Sequence, residues 1–139
     1  MHQMIFVNLP VADTDRSREF FSKVGYTFDE QMCQAGTALG MELGPNMYAM
    51  LLGREFFDTF HNAKSADAGQ HEVLTCLSAA NREEVDAVVD RALEAGGTEV
   101  RKDENGDYMY GRSYADLDGH IWEIMWMDVA KATEAGAFG

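Results

Sequence analysis

Two glutamates, Glu72 and Glu123, are the side chains of this sequence best suited to chemistry. Each replaces an apolar residue inside a run of strand-like alternation. A carboxylate on a half-buried strand costs several kcal/mol unless a proton, a cation or a donor meets it. Such a pair has three fates, all open at this point. It can share a proton, with one pKa driven up, and take a proton next to a carbonyl. It can hold a hard divalent cation such as Mg²⁺, Ca²⁺ or Mn²⁺, which carboxylates without imidazole suit better than they suit Zn²⁺. Or a neighbour such as Arg112 or Tyr110 neutralises each glutamate, and the role is structural.

Strand parity names the residues that would surround the pair. Leu74 and Cys76 share the face of Glu72, while Ile121 and Met125 share that of Glu123. Trp122, Ile124 and Trp126 alternate to the opposite face and are expected to pack under helices. Cys76, in an apolar strand, reads as a small core residue. Tyr110, Arg112 and Tyr114 share one face of their strand, and two readings of it stay open. As a cavity face, it lets Arg112 clamp a carboxylate and Tyr110 bond a carbonyl; otherwise it is the exposed face of a curled sheet. His71 and His120 adjoin the glutamates but alternate away from them, and His61 lies in a linker.

These residues need elements to hold them. Residues 4–11 alternate as a strand, with Phe6 and Asn8 on one face. Asp13 caps a helix whose Ser17, Phe20, Phe21 and Val24 recur at helical spacing until Gly25 stops it. Strands are predicted at 26–30, 37–43 and 47–52. Residues 54–70 form a linker whose Phe56, Phe57 and Phe60 fit a short amphipathic helix. The pattern then recurs: a strand over 72–78, Asn81 with Glu84 as a capping box, and a stripe of Val85, Val88, Val89, Ala92 and Leu93. Strands follow at 98–101, 109–115 and 121–127, with a turn at 116–119 before the last. A repeat of half the chain argues duplication of a βαβββ unit. The expected fold is α+β: two βαβββ modules with curled mixed sheets enclosing a cavity and helices on the outer faces. The expected layout is one domain of residues 1–139, with module one at 1–53, module two at 71–128 and a tail at 129–139.

The chain has 139 residues, 24 acids against 11 bases and a net charge of −13. That balance argues against nucleic acid and anionic membrane as partners, since both need a basic footprint. No apolar stretch approaches the roughly 18 residues of a membrane span. Two cysteines without ligand spacing suggest reduced thiols and a cytoplasmic protein.

The segments IFVNLPVADTDRSREFFSKVGYTF and YGRSYADLDGHIWEIMWMD resemble the glyoxalase/bleomycin-resistance/extradiol-dioxygenase group, the vicinal oxygen chelate superfamily. The first has the strand, V-x-D turn and aromatic-rich helix closed by Gly. The second has the D-x-D-G-x-x-x-E hairpin of Asp116, Asp118, Gly119 and Glu123. The resemblance implies a small-molecule ligand, a homodimer and one metal ligand from the first and last strand of each module. Here those positions read Phe6, Met50, Glu72 and Glu123. A phenyl ring is no ligand and a thioether is too soft for a hard cation, so this is half a metal site. The His or Gln of the glyoxalase set and the two His of the dioxygenase triad are absent. What remains is lyase or isomerase chemistry on a small oxygenated metabolite at Glu72 and Glu123, with a divalent ion or none. The alternative is a non-catalytic drug- or metabolite-binding protein, whose acidic chain suits a cationic ligand. In either case Phe6, Asn8, Met50, Leu74, Tyr110, Arg112 and Met125 are the candidate ligand contacts.

Overall fold

A computed structural model describes residues 1–138. The chain folds into two compact units, Met1–Ala68 and the part from Gly69 onward.

Unit one runs β1 (Ile5–Val11), α1 (Thr14–Val24), β2 (Thr27–Phe28), a 3-10 turn (Glu30–Met32), β3 (Ala38–Gly44), β4 (Met47–Gly53) and α2 (Arg54–Asp58). Its sheet has the order β1-β4-β3-β2, with β1 parallel to β4 and the other pairs antiparallel. The capping residues explain where α1 begins and ends. Asp13 Oδ1 accepts from the N–H groups of Asp15 at 2.9 Å and Arg16 at 3.2 Å. Gly25, at φ 119°, closes the helix in a left-handed conformation that costs glycine nothing. Ser17, Phe20, Phe21 and Val24 are all buried, as their spacing predicts, together with Val11, Met41, Ala49 and Leu51. The strand expected at 26–30 stops after two residues because the Asp29 side chain accepts from Gln31 N–H and opens the 3-10 turn.

Unit two runs β5 (Thr75–Ser78), α3 (Arg82–Glu94), β6 (Thr98–Asn105), β7 (Met109–Ala115), β8 (Ile121–Met127) and α4 (Val129–Glu134). Its order is β5-β8-β7-β6, with β5 parallel to β8. Strand order and sense repeat those of unit one, so the fold is α+β with two βαβββ modules on open four-stranded mixed sheets. Asn81 accepts from Glu84 N–H at 2.8 Å, and the Glu84 carboxylate reaches back to the N–H of Ala80. That is a capping box, closed one residue earlier than the usual form. Val85, Val89 and Ala92 of α3 are fully buried, as are Tyr114 and Trp122 of the sheet.

The strand expected over 72–78 begins only at Thr75. Thr75 pairs with Trp122, and β8 starts at Ile121. Residues before Leu74 therefore run level with the 116–119 turn, where no strand remains to pair with them. Among the described residues no helix is long and apolar enough to cross a membrane.

Candidate binding site

Register decides which side chains of unit two meet. Cys76 lies opposite Glu123, Glu123 opposite Ser113, and Ser113 opposite Arg101. Residues so paired share a sheet face with Cβ atoms about 5 Å apart. Helix α3 covers the other face, over Trp122 and Ile124, which are 0% and 2% exposed. On the face away from α3, Arg101, Asp103, Gly111, Ser113, Glu123 and Met125 line a small hollow of about 70 Å³. Gly111 presents bare backbone there, and a Cβ at that position would stand in ordinary contact with the Met125 side chain at 3.7 Å. Arg101 is held by Asp103 at 3.0 Å. Glu123 is half-buried, and its carboxylate makes no hydrogen bond or ion pair with a described residue.

Cys76 departs from its expected place in the core: it is exposed, on the edge strand β5. Crowding of its thiol pushes the pKa up, and the negative charge of Glu123 pushes it further. A thiol in that setting stays protonated at neutral pH and is a poor nucleophile. Strand parity names Cys76 among the residues around the pair, on the Glu72 face, but its apolar strand reads as a core position. Its signal was its distance to the helix cap: Asn8 precedes Asp13 by five residues, and Cys76 precedes Asn81 by five.

Glu72 does not sit in the row of Glu123. It precedes Cys76 by four residues, about 13 Å along a strand at the usual rise. It is exposed on the segment leading into β5, and Leu74, expected as a cavity residue, is 55% exposed there. Met125 does share the face of Glu123, one residue pair along β8.

Tyr110 and Arg112 lie on the opposite face, against α3. Their parity is that of Trp122 and Ile124, because Ser113 and Gly111 are the residues facing Glu123's side. Arg112 reaches Asp90 at 2.9 Å, Asp86 at 3.0 Å and Glu99 at 3.1 Å, with its side chain only 10% exposed. Tyr110 donates to Asp86 at 2.5 Å. Burial, then that bond, pushes the Tyr110 hydroxyl up to about 12. Burial works against the Arg112 charge, but hydrogen bonds to three carboxylates outweigh it and its pKa is raised. The pair thus fastens α3 to the sheet and is committed to protein partners.

The D-x-D-G turn has a structural task. Asp116 Oδ1 accepts from the N–H groups of Asp118 and His120, and Oδ2 accepts from Trp122 Nε1 at 2.9 Å. Burial pushes this carboxyl up despite those bonds. Gly119 completes the turn at φ 85°.

In unit one the face away from α1 carries Phe6, Asn8 and Met50 together. Asn8 pairs directly with Met50, and Phe6 stacks on Tyr48 with ring centroids 5.2 Å apart. Phe6 is 43% exposed. A second polar cluster lies after α2, where His61 Nε2 is 3.0 Å from Ser65 Oγ and 3.4 Å from Asp58 Oδ1. It has the residue types of a hydrolytic triad but not the arrangement. Ala63 N–H donates to His61 Nδ1, which puts the proton of a neutral ring on Nε2. Ser65 in turn donates to Asp58. His61 cannot then act as a base toward Ser65.

Residues 3–44 match the model of the bleomycin resistance protein-like N-terminal family. Among solved structures, a hypothetical protein from S. aureus matches at 27% identity with a TM-score of 0.75, covering 91% of this chain and 94% of that one. This is the fold of the glyoxalase/bleomycin-resistance/dioxygenase superfamily. A protein described as an enzyme of that superfamily, from Burkholderia phytofirmans PsJN, matches at 18% identity and TM-score 0.71, covering 88% and 96% of the two chains. A lactoylglutathione lyase from Agrobacterium tumefaciens matches at 16% and 0.67, covering 89% and 92%. No curated protein matches the chain.

The superfamily likeness implies a divalent metal, and the donor set of this chain tests that. Among the described residues no three His, Cys, Asp or Glu side chains group so as to hold an ion. The row through Glu123 offers one carboxylate, one hydroxyl and a thiol that resists the deprotonation metal binding requires. These residues do not fit a divalent-ion centre.

Proposed function

We propose that the protein is a small-molecule-binding member of the glyoxalase/bleomycin-resistance type, capturing a ligand that carries a cationic or hydrogen-bond-donating group at Glu123. One observation carries the reading: a half-buried carboxylate, on the sheet face away from α3, has no hydrogen bond or ion pair with a described residue. Leaving such a group unsatisfied is costly, and a bound donor removes the cost. The hollow beside it provides Met125 as an apolar contact and backbone access at Gly111. The net charge of −13 adds long-range attraction for a cation. The same reading takes the protein as a homodimer, on the strength of the superfamily likeness, and as cytoplasmic, on the strength of its two cysteines without ligand spacing.

A second reading draws on the same group. A carboxylate aimed at a substrate carbon next to a carbonyl can serve as the general base of lyase or isomerase chemistry through an enolate, with Glu123 in that role. Thermal melting with benzamidinium, alongside turnover of the methylglyoxal–glutathione hemithioacetal, separates the two. Binding predicts a melting shift in the wild type, its loss in Glu123→Gln, and no turnover. Turnover that disappears in Glu123→Gln would transfer the assignment to the enzyme, and neither response would end both readings.

A further inference from the structure

Unit one holds a larger cleft with no part in the site above. It has a volume of about 520 Å³, within the usual range of small-molecule pockets, and its walls include Gly36, Thr37, Gly53, Arg54, Glu55 and Phe56. Arg54 is the notable wall residue. Among the described residues four arginines are half-buried: Arg18, Arg54, Arg82 and Arg112. Arg18 meets Glu30 at 2.7 Å, Arg112 meets three carboxylates, and Arg82 lies over the rings of Tyr110 and Trp126. The Arg54 guanidinium alone among them has no hydrogen bond, ion pair or ring contact with a described residue. A guanidinium needs planar acceptors, and carboxylate fits its fork in bidentate fashion.

The rest of the cleft is shaped to admit a ligand. Gly53 N–H donates to Thr37 O at 2.8 Å and ties the end of β4 to the start of β3. Gly36, at φ 73°, leaves bare backbone: a Cβ placed there would meet nothing within 4 Å, whereas one at Gly53 would come within 3.3 Å of Gly36 O. Thr37 brings a half-buried hydroxyl that makes no hydrogen bond with a described residue. Phe56, packed edge-on to Phe60 at 4.9 Å, supplies an apolar wall. Glu55 on the rim repels a ligand of more than one negative charge.

We infer that this cleft binds a small, singly charged carboxylate with an apolar or aromatic body, its carboxylate on Arg54 and Thr37 and its body against Phe56. This cleft shares no lining residue with the Glu123 hollow, and the two prefer ligands of opposite charge.

Titration of the full chain with sodium benzoate, followed by ¹H–¹⁵N shifts of Gly36, Thr37 and the Arg54 side chain, tests it. The expected result is saturable binding in the millimolar range, weakened about tenfold or more in Arg54→Met, partly kept in Arg54→Lys and unchanged in Glu123→Gln. An Arg54→Met spectrum that otherwise overlays the wild type shows that the fold survives the substitution. Undiminished benzoate binding by a folded Arg54→Met, or no saturable shift in the wild type, overturns the inference. Binding of inorganic phosphate in place of benzoate overturns the carboxylate assignment. Benzamidinium binding that Arg54→Met leaves intact keeps the fate of this cleft distinct from that of the Glu123 site.

Discussion

Glu123 and Cys76 are coupled by one strand register, and that coupling is measurable. Desolvation by the atoms crowding the thiol is the larger cause of its raised pKa and the glutamate charge the smaller. In a Cys33→Ala background, Cys76 should alkylate with iodoacetamide more slowly at pH 8 than a free thiol does. Replacing Glu123 by Gln removes the charge while leaving the crowding, so the rate–pH profile should move to lower pH without reaching that of a model thiol. A profile unmoved by the substitution would mean that the two groups do not sense each other. Because Glu123 has no partner to lose, the same substitution should leave stability unchanged or slightly raise it.

At the level of elements, the cluster around Arg112 decides how firmly α3 is seated. Its removal leaves Asp86, Asp90 and Glu99 facing one another without a cation. Those carboxylates are 41–60% exposed, so water screens part of the repulsion. Arg112→Met should therefore cost about 1–3 kcal/mol in urea unfolding rather than the larger penalty of a fully buried pair. The pH dependence has a definite sign. Asp86 is held below the usual carboxylate range, first by the Tyr110 hydroxyl and then by Arg112. Its contribution is present above its unfolded pKa, near 4, and is lost as the pH falls through its lower folded value. Between pH 5 and pH 2.5 the wild type should lose stability more steeply than Arg112→Met. Parallel curves would show that the arginine does not help hold Asp86 ionised.

For the whole molecule, a charge of −13 over 139 residues implies self-repulsion that salt should relieve. The Debye length falls from about 10 Å at 0.1 M to about 3 Å at 1 M ionic strength. Long-range repulsion is then screened while the Arg112 pairs, all near 3 Å, are affected less. The melting temperature should rise between 0.05 M and 0.5 M sodium chloride. A fall would mean that surface pairs such as Arg18–Glu30 and Lys23–Glu19 outweigh the net charge. The same charge opposes anionic ligands in general, so a carboxylate on Arg54 depends on local contact and should bind more tightly as salt increases.

Much of this protein was written in short stretches of its chain. The caps at Asp13 and Asn81, the stop at Gly25 and the buried spacing of Ser17, Phe20, Phe21 and Val24 depend on neighbours within a few residues. Alternation likewise sent Trp122 and Ile124 under a helix and left Glu123 on the face away from it. Parity could not say which face α3 would cover at Tyr110 and Arg112, because that depends on the pairing of β7 with β8. Nor could it set the parallel register of β5 on β8, which places Cys76 rather than Glu72 beside Glu123. Strands that pair across some 45 intervening residues are aligned by the packing of everything between them, and no local spacing records that alignment. Arg54 was invisible for the same reason: an arginine in a linker gains meaning only when the chain around it closes a cleft and leaves its guanidinium without an ion pair to a described residue.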